Sequence, residues 1–162
     1  AAIGILSTST LLAKTHVQHN LNTIDLHNGF LPVTSARVSS RFNVVQALRQ
    51  HKPHRGIDYA AAVGTPIVAS YSGTITVADD KTLHQNYGIV VAIQHDTDTQ
   101  TLYAHLNNAI VKKGQTIKAG QTIGYVGLTG RTTGPHVHFE LHRYGQPVDP
   151  SLYLEKRNDI NE

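Results

Sequence analysis

Residues 134–141 read GPHVHFEL, and their pattern decides how the surrounding chain folds. After the Gly-Pro pair, polar and apolar residues alternate strictly, which is the period of a β-strand. Val137 and Phe139 fall on one face and can anchor in a core. His136 and His138 fall on the other, roughly 6 to 7 Å apart at the backbone, so both imidazoles can reach into one cleft. The stretch predicts either a metal ligand beside a general base or an exposed polar strand face in a histidine-rich chain.

A second histidine motif lies in residues 52–59, which read KPHRGIDY. His54 and Asp58 are four positions apart, a spacing that shares one face of a helix. Pro53 and Gly56 argue against a helix here. In a straight strand the two side chains would lie roughly 13 Å apart, too far for one zinc ion with bonds of about 2 Å. If the two residues form a site, the chain must bend, and Gly56 is where a bend costs least.

If this segment bends, His54 and Asp58 together with one histidine of the pair His136 and His138 would give one zinc ion three protein ligands. Water would complete the tetrahedron, which is the arrangement of catalytic rather than structural zinc sites. Thiolate zinc sites are excluded because the chain contains no cysteine.

A third histidine candidate lies in residues 101–106, TLYAHL, which predict a strand. Its alternation puts His105 and Tyr103 on one face, opposite the apolar residues. His105 is either a site residue or an exposed strand histidine, and Tyr103 could orient it or bind a substrate. His95, after the apolar run 89–93, is predicted to be structural and to bond a nearby carbonyl.

Short β-branched runs separated by turn residues recur along the chain, with little helical periodicity. Residues 64–69 and 73–78 are two such runs, and the turn residues between them predict a hairpin. The pattern predicts an all-β fold of antiparallel sheets whose short strands form a groove. A chain of 162 residues is long enough for one such domain.

The charge pattern bounds the partners. The formal charge is +3, and Lys and Arg are scattered rather than gathered in a stripe, so no nucleic-acid partner is predicted. A mildly positive field suits an anionic polymer such as a bacterial cell wall, although solubility explains it equally well.

Three motifs in this order, HRGID at 54–58, YAHL at 103–106 and HVH at 136–138, resemble the signature of LytM/lysostaphin-type zinc endopeptidases of bacterial cell walls. The resemblance runs from about residue 32 to about residue 154, and SSRFN at 39–43 is most similar to the Gram-negative D,D-endopeptidases. Val44-Val45 departs from the basic residues that related proteins often carry, which leaves the substrate preference open.

The resemblance implies a function and a location. It implies one Zn²⁺, peptidoglycan peptide stems as the substrate, and a periplasmic or extracellular place in the cell envelope. The scissile bond is expected to join D-Ala to meso-diaminopimelate, with a glycine bridge as the other possibility.

The resemblance also assigns residues. The ligands map onto His54, Asp58 and His138, and the two catalytic histidines map onto His105 and His136. Zinc held by two imidazoles and a carboxylate lowers the pKa of bound water, and one of the two catalytic histidines takes its proton while the other stabilises the oxyanion. The sequence does not say which does which.

Four further residues are candidates with an alternative each. Glu140 shares the face of His138 and is either a partner that orients this ligand or a rim charge. Asn43 approaches the metal or the substrate, or caps a turn. Arg131 and Thr132 wall the cleft and touch the peptide, or belong to a solvated turn.

These expectations divide the chain into an N-terminal arm or linker at 1–30, the zinc endopeptidase domain at 31–154 and a polar C-terminal tail at 155–162. The arm is expected to be short and irregular or helical. It is either the remnant of an export or membrane-anchor segment or a segment packed on the domain, and another domain before Ala1 is an open alternative.

Two other classes of protein fit parts of the sequence. One is a non-catalytic domain that activates another cell-wall hydrolase, but such domains usually lose zinc ligands and all five positions are filled here. The other is a biotinyl or lipoyl carrier, because residues 111–124 have a spacing of short strands and glycines similar to that of such domains. No lysine occupies the Met-Lys-Met turn that a carrier needs.

Overall fold

Strands dominate the part of the chain that the computed structural model describes, residues 24–155. The described strands are β1 (Gly29–Phe30), β2 (Arg37–Ser40), β3 (Ile57–Ala60), β4 (Pro66–Val68), β5 (Gly73–Asp79), β6 (Ile89–Gln94), β7 (Thr99–Ala109), β8 (Thr116–Ile117), β9 (Thr122–Val126), β10 (His136–Arg143), β11 (Gln146–Val148) and β12 (Leu154–Glu155). Within these residues the helical elements are four short 3₁₀ turns: Leu26–Asn28, Ala47–Arg49, Gln85–Tyr87 and Pro150–Leu152. The prediction of an all-β fold is confirmed. None of the described helices is long and apolar enough to cross a bilayer.

One large antiparallel sheet holds ten of the described strands. Its main path runs β2-β3-β10-β7-β6-β5-β8, while β11 pairs with β10, and β9 joins β4 to β7. Strand β10 lies between β3 and β7, and its register sets His138 opposite both Asp58 and Ala104. The register of these three strands therefore brings together residues that are far apart in the sequence.

The apolar face of β10 forms part of the main core, as its alternation predicts. Val137, Phe139 and Leu141 are each 0 % exposed. The apolar run of β6 is buried on both faces, because Val91 packs in the main core while Val90 packs in a second cluster on the other side of the sheet.

Strand β7 departs from its predicted alternation at His105. This residue has φ +64°, and the pairing with β6 shifts register between Tyr103 and Leu106. Such a bulge adds a residue and resets which side chains face the core. As a result Leu106 joins Tyr103 in the main core, while Leu102 and Ala104 pack in the second cluster. The prediction that Leu106 lies opposite Tyr103 is wrong.

The predicted hairpin of residues 64–69 and 73–78 does not form. Strand β4 pairs with β9, and β5 pairs with β6 and β8. Ile67 in β4 is 0 % exposed, so the burial of this run against a distant strand outweighs the local turn residues. A local turn signal cannot report such a distant partner.

The domain begins before the predicted boundary at residue 31. Leu26 is buried in the main core, and its carbonyl accepts a hydrogen bond from the hydroxyl of Tyr71 at 3.0 Å. Strands β1 and β12 form a two-stranded parallel pair. Most of the predicted arm, and all but the first residue of the predicted tail, lie outside the described residues.

Candidate metal centre

An open cleft of about 730 Å³ crosses the sheet where β3 and β10 meet. One wall comes from β2 and the loop of residues 41–54, which we call the wall loop. The opposite wall comes from residues 86–87 and 131–135. The floor is formed by polar side chains of β3, β7 and β10 together with His54 at the end of the wall loop, and it contains all three proposed ligands and both proposed catalytic histidines.

The bend between His54 and Asp58 depends on Gly56. A Cβ atom placed on Gly56 would lie 2.0 Å from the carbonyl oxygen of Phe139, which no side chain can tolerate. Glycine therefore allows the backbone to approach β10 closely before β3 begins at Ile57. The predicted bend is present, and the close approach of two backbones is what requires glycine there.

Three potential ligand atoms converge on the cleft floor. Asp58 Oδ1 lies 3.0 Å from His54 Nε2 and 2.8 Å from His138 Nδ1. The two imidazole nitrogens lie 3.0 Å apart. All three residues are buried. This spacing would allow one small cation to contact all three atoms.

In each imidazole, the hydrogen bond of the nitrogen that points away from the cluster shows which nitrogen carries the proton. His54 Nδ1 lies 2.8 Å from the carbonyl oxygen of Arg41, which can only accept, so Nδ1 carries a proton. His138 Nε2 likewise lies 2.9 Å from the carboxylate of Glu140. In their neutral forms both histidines therefore direct lone pairs toward Asp58 Oδ1. Three electron pairs meeting in one place suit a cation, so the donor set fits a divalent metal ion.

The pKa values reflect the same demand for positive charge. Burial alone would raise the pKa of Asp58, but hydrogen bonds from His138 and His54 outweigh burial and hold this pKa well below its usual range. Burial alone would lower the pKa of His138, yet Asp58 and Glu140 raise it to about 9. A proton therefore occupies the position between His138 and Asp58 when no metal ion does, and a cation must displace it.

Glu140 lies behind His138 and is 1 % exposed, so it is not a rim charge. Its carboxylate accepts hydrogen bonds from the hydroxyl of Tyr87 at 2.9 Å and from His142 Nε2 at 2.5 Å. Burial alone would raise the pKa of Glu140, but the bonds from His138 and His142 keep it well below its usual range. Glu140 is thus an ionised group that fixes the ring of His138.

His105 and His136 lie side by side next to the three converging atoms, with ring centroids 4.7 Å apart. His105 Nδ1 lies 2.8 Å from the carbonyl oxygen of Thr129, and His136 Nδ1 lies 2.8 Å from that of Gly134. Both Nδ1 atoms therefore carry protons, which leaves both Nε2 atoms free to accept one. His136 Nε2 lies 3.7 Å from Asp58 Oδ1.

Two of the predicted substrate contacts lie in the cleft wall. Arg131 and Thr132 both line the cleft. Thr132 Oγ1 donates to the carbonyl of Gly134 at 2.7 Å and lies 3.1 Å from His136 Nδ1, so it also supports a proposed catalytic histidine.

The other two predicted substrate contacts do not reach the cleft. Tyr103 is 0 % exposed, and its hydroxyl oxygen accepts from the backbone N–H of Ser70 at 2.8 Å. The prediction that Tyr103 binds substrate or orients His105 is wrong, because the bulge turns it into the core. Asn43 is exposed in a turn with φ +63°, and its N–H donates to the carbonyl of His54 at 2.8 Å. It lies in a turn, but within residues 24–155 its side chain forms no hydrogen bond that would cap that turn.

Two residues at the site were missed in the sequence. Arg49 Nη2 donates to Asp58 Oδ2 at 2.8 Å, but a single arginine in a loop carries no local sequence signal for such a contact. Tyr87, whose hydroxyl donates to Glu140, carries no local signal either. His142 also donates to Glu140, and its place in the polar alternation of β10 was a signal for it. His95 donates from Nδ1 to the carbonyl of Ser72 at 2.8 Å, as predicted.

Known proteins resemble this chain along most of its length. DD-carboxypeptidase/endopeptidase Mpg of Neisseria meningitidis serogroup B is 44 % identical over 121 residues, which cover 74 % of this chain and 27 % of Mpg. Peptidoglycan DD-endopeptidase ShyA of Vibrio cholerae is 41 % identical over 122 residues, covering 73 % of this chain and 28 % of ShyA. The chain thus spans about a quarter of the length of these curated relatives.

A solved structure has the same fold. A zinc-containing peptidase from Vibrio cholerae superposes with a TM-score of 0.68 at 33 % identity, over 82 % of this chain and 41 % of that one. The model of peptidase family M23 matches residues 52–150, a range that contains all three converging ligands and both neighbouring histidines. The chain belongs to peptidase family M23.

Proposed function

We propose that this domain is a zinc-dependent endopeptidase that hydrolyses peptide crosslinks of peptidoglycan. The observation that carries the proposal is the convergence of three lone-pair atoms, from His54, Asp58 and His138, beside two further histidines whose Nε2 atoms are free. Two nitrogen donors and one carboxylate oxygen suit zinc, and three protein ligands leave room for water or substrate.

The chemistry divides between the cation and the chain. When bound, a divalent cation polarises a carbonyl and lowers the pKa of a neighbouring water. Burial lowers the pKa of His105 to about 4, so this side chain is neutral near pH 7 and its Nε2 can accept the proton of the attacking water. That proton passes to the amide nitrogen as the C–N bond breaks, which releases an amine and a carboxylate. His136, beside it, stabilises the tetrahedral oxyanion when its Nε2 carries a proton and donates it.

The charge of the cleft rim supports an anionic substrate. Arg37, Lys52 and Arg131 line the cleft and are exposed, and within residues 24–155 their side chains form no hydrogen bond or ion pair. The two carboxylates of the cleft, Asp58 and Glu140, are buried and already paired. The accessible charge is therefore positive, which suits stem peptides with free carboxylates. This favours a D-Ala to meso-diaminopimelate bond over an uncharged glycine bridge. Because such a substrate lies in the cell envelope, the proposal includes a place there for this protein.

The test is digestion of purified crosslinked muropeptides by the zinc-loaded protein, with products weighed by mass spectrometry. Wild type and His27→Ala, an exposed histidine outside the cleft, are expected to release the same uncrosslinked products. His138→Ala is expected to release none, and a glycine-bridged substrate is expected to react more slowly.

Unchanged cleavage by His138→Ala would refute the proposed site. Faster cleavage of the glycine bridge would refute the substrate class alone. A folded wild type that takes up no zinc and releases no product would instead favour the regulatory domain that was the alternative.

A further inference from the structure

The two carboxylate oxygens of Asp58 have different partners. Oδ1 faces the two imidazoles, at 3.0 Å from His54 Nε2 and 2.8 Å from His138 Nδ1. Oδ2 points away from the imidazoles and accepts a hydrogen bond from Arg49 Nη2 at 2.8 Å. The carboxylate is thereby held with one oxygen, and only one, directed toward the proposed metal position.

Arg49 comes from the tip of the wall loop. The base of this loop is fixed by two backbone bonds between its arms, from Asn43 N–H to the carbonyl of His54 at 2.8 Å and from His54 N–H to that of Val44 at 3.0 Å. At the tip, Gln50 and His51 both have left-handed backbones, with φ of 53° and 59°. The base is thus built from the segment that carries a ligand, whereas the tip needs other contacts to stay in place.

The guanidinium of Arg49 supplies those contacts. Nη1 donates to Gln46 Oε1 at 2.7 Å, and Nη2 donates to Ser40 Oγ at 3.3 Å as well as to Asp58. Within the described part of the chain, every side-chain hydrogen bond from residues 46–51 to the sheet comes from Arg49. One planar group therefore connects the loop tip, strand β2 and a ligand.

We propose that Arg49 is a positioning residue that couples the wall loop to the metal centre. It holds Asp58 ready to bind through Oδ1 alone, and the same bond fixes the loop tip that forms one wall of the substrate cleft. Because coupling between two sites is reciprocal, a cation that fixes Asp58 also orders the loop, and a loop held in place strengthens cation binding. The inference rests on the metal site of the proposed function but not on its peptidase activity.

The first test is zinc affinity, measured by competition with a chromophoric chelator. Arg49→Gln is expected to lower the affinity about 10- to 100-fold, the usual effect of losing a partner of a metal ligand. Arg49→Lys returns the charge without the planar fork and is expected to recover part of the loss. Lys52→Gln removes the same charge from the same loop without touching Asp58, and it is expected to bind zinc like wild type.

The second test is amide hydrogen exchange of residues 45–52 with and without zinc. Zinc is expected to slow exchange in wild type and in Lys52→Gln but not in Arg49→Gln. Folded Arg49→Gln and Arg49→Lys proteins that bind zinc as tightly as wild type would overturn the proposal, as would equal protection of the loop in Arg49→Gln. Neither readout requires peptide cleavage, so an inactive protein that shows the coupling would refute the proposed activity alone.

Discussion

Two histidine networks in this domain, one partly buried around His95 and one buried around His138, differ in how their hydrogen bonds close. In the network of His95, Nδ1 donates to the carbonyl of Ser72, and Nε2 lies 2.7 Å from the hydroxyl of Thr101. That hydroxyl lies 3.2 Å from the hydroxyl of Tyr103, which accepts from the backbone of Ser70. Every hydrogen-bond acceptor in the His95 network has a donor proton available, so this network needs no further partner.

The cluster of His54, Asp58 and His138 has the same ingredients and the opposite balance. In the neutral forms of both histidines, its outer nitrogens give their protons to a carbonyl and to Glu140, and its inner atoms are left with electron pairs directed at one point, which either a proton or a cation must fill. The pKa values follow this difference, since burial lowers that of His95 to about 4 while the adjacent carboxylates raise that of His138 to about 9. Burial and histidine content do not distinguish a structural network from a candidate metal site. The number of donor protons available to the acceptors of each network does.

The largest effect expected from this contrast is the loss of metal on neutralising the cluster. Asp58→Asn keeps the shape of the side chain but removes its charge. We expect zinc affinity to fall by more than about 100-fold, beyond the effect of losing an outer partner, and peptide cleavage to fall by about 10³-fold or more. Zinc content by mass spectrometry and turnover of crosslinked muropeptides measure both. Thr101→Val in the His95 network is the control, and an equal loss of zinc there would break the comparison.

The next effect separates metal binding from proton transfer. His105 is not one of the three converging residues, so His105→Ala is expected to keep its zinc. Losing a proton acceptor should lower kcat by about 10²- to 10⁴-fold. Single-turnover cleavage by the zinc-loaded variant measures this, with zinc content determined on the same sample. A variant that loses its zinc would place His105 among the ligands and contradict the division of roles.

The His95 network predicts a pH dependence of stability that is independent of the metal. The folded-state pKa of His95, about 4, lies below its ordinary value of 6.5. Between these values the unfolded chain binds a proton that the folded protein does not, so stability is highest above pH 6.5 and is lost as the pH falls toward 4. The loss from His95 between about pH 7.5 and about pH 5 should be about 2 kcal/mol.

Urea unfolding of metal-free wild type and His95→Gln at both pH values measures that loss. The variant is expected to lose less stability on acidification by about that 2 kcal/mol, because glutamine does not titrate. Equal losses in the two proteins would show that His95 is charged inside the fold and that its network is not closed.

The smallest expected effect concerns Tyr103, which the sequence placed in the cleft and the structure places in the core. Tyr103→Phe deprives the Ser70 N–H of its acceptor, so we expect a loss of about 1 kcal/mol in unfolding free energy. Cleavage of muropeptides should keep its kcat and KM. A raised KM with unchanged stability would instead support the prediction that Tyr103 binds the substrate.

Periodic patterns predicted the all-β fold and put two histidines on one face of β10, whereas the choice of His138 over His136 as a ligand came only from the resemblance to known endopeptidases. The strict alternation of β10 sorts Val137 and Phe139 from His136 and His138, and a β-strand translates such a pattern directly into faces. The bend at Gly56 was also predictable for a shared site, because Pro53 and Gly56 argued against a helix and a straight strand would hold His54 and Asp58 too far apart.

The errors came from features without a local signal. The left-handed backbone of His105 resets the alternation of β7, and a non-glycine residue in that conformation is rare enough that no pattern anticipates it. The pairing of β4 with β9 depends on a distant partner, and so does the contact of Arg49 with Asp58. Tertiary contacts decide all three, and a reading of neighbouring residues cannot reach them.

If the cluster binds the proposed ion, the pairing of β3 with β10 makes metal uptake a late event in folding. The contact between His54 and His138 joins residues 84 positions apart, and closing so long a loop must precede any gain from the contact. A growing chain that has not yet docked β10 offers only His54 and Asp58, too few ligands to retain an ion. Zinc uptake should therefore mark the completion of folding, and zinc release should be among the first signs that the seam between these two strands has opened.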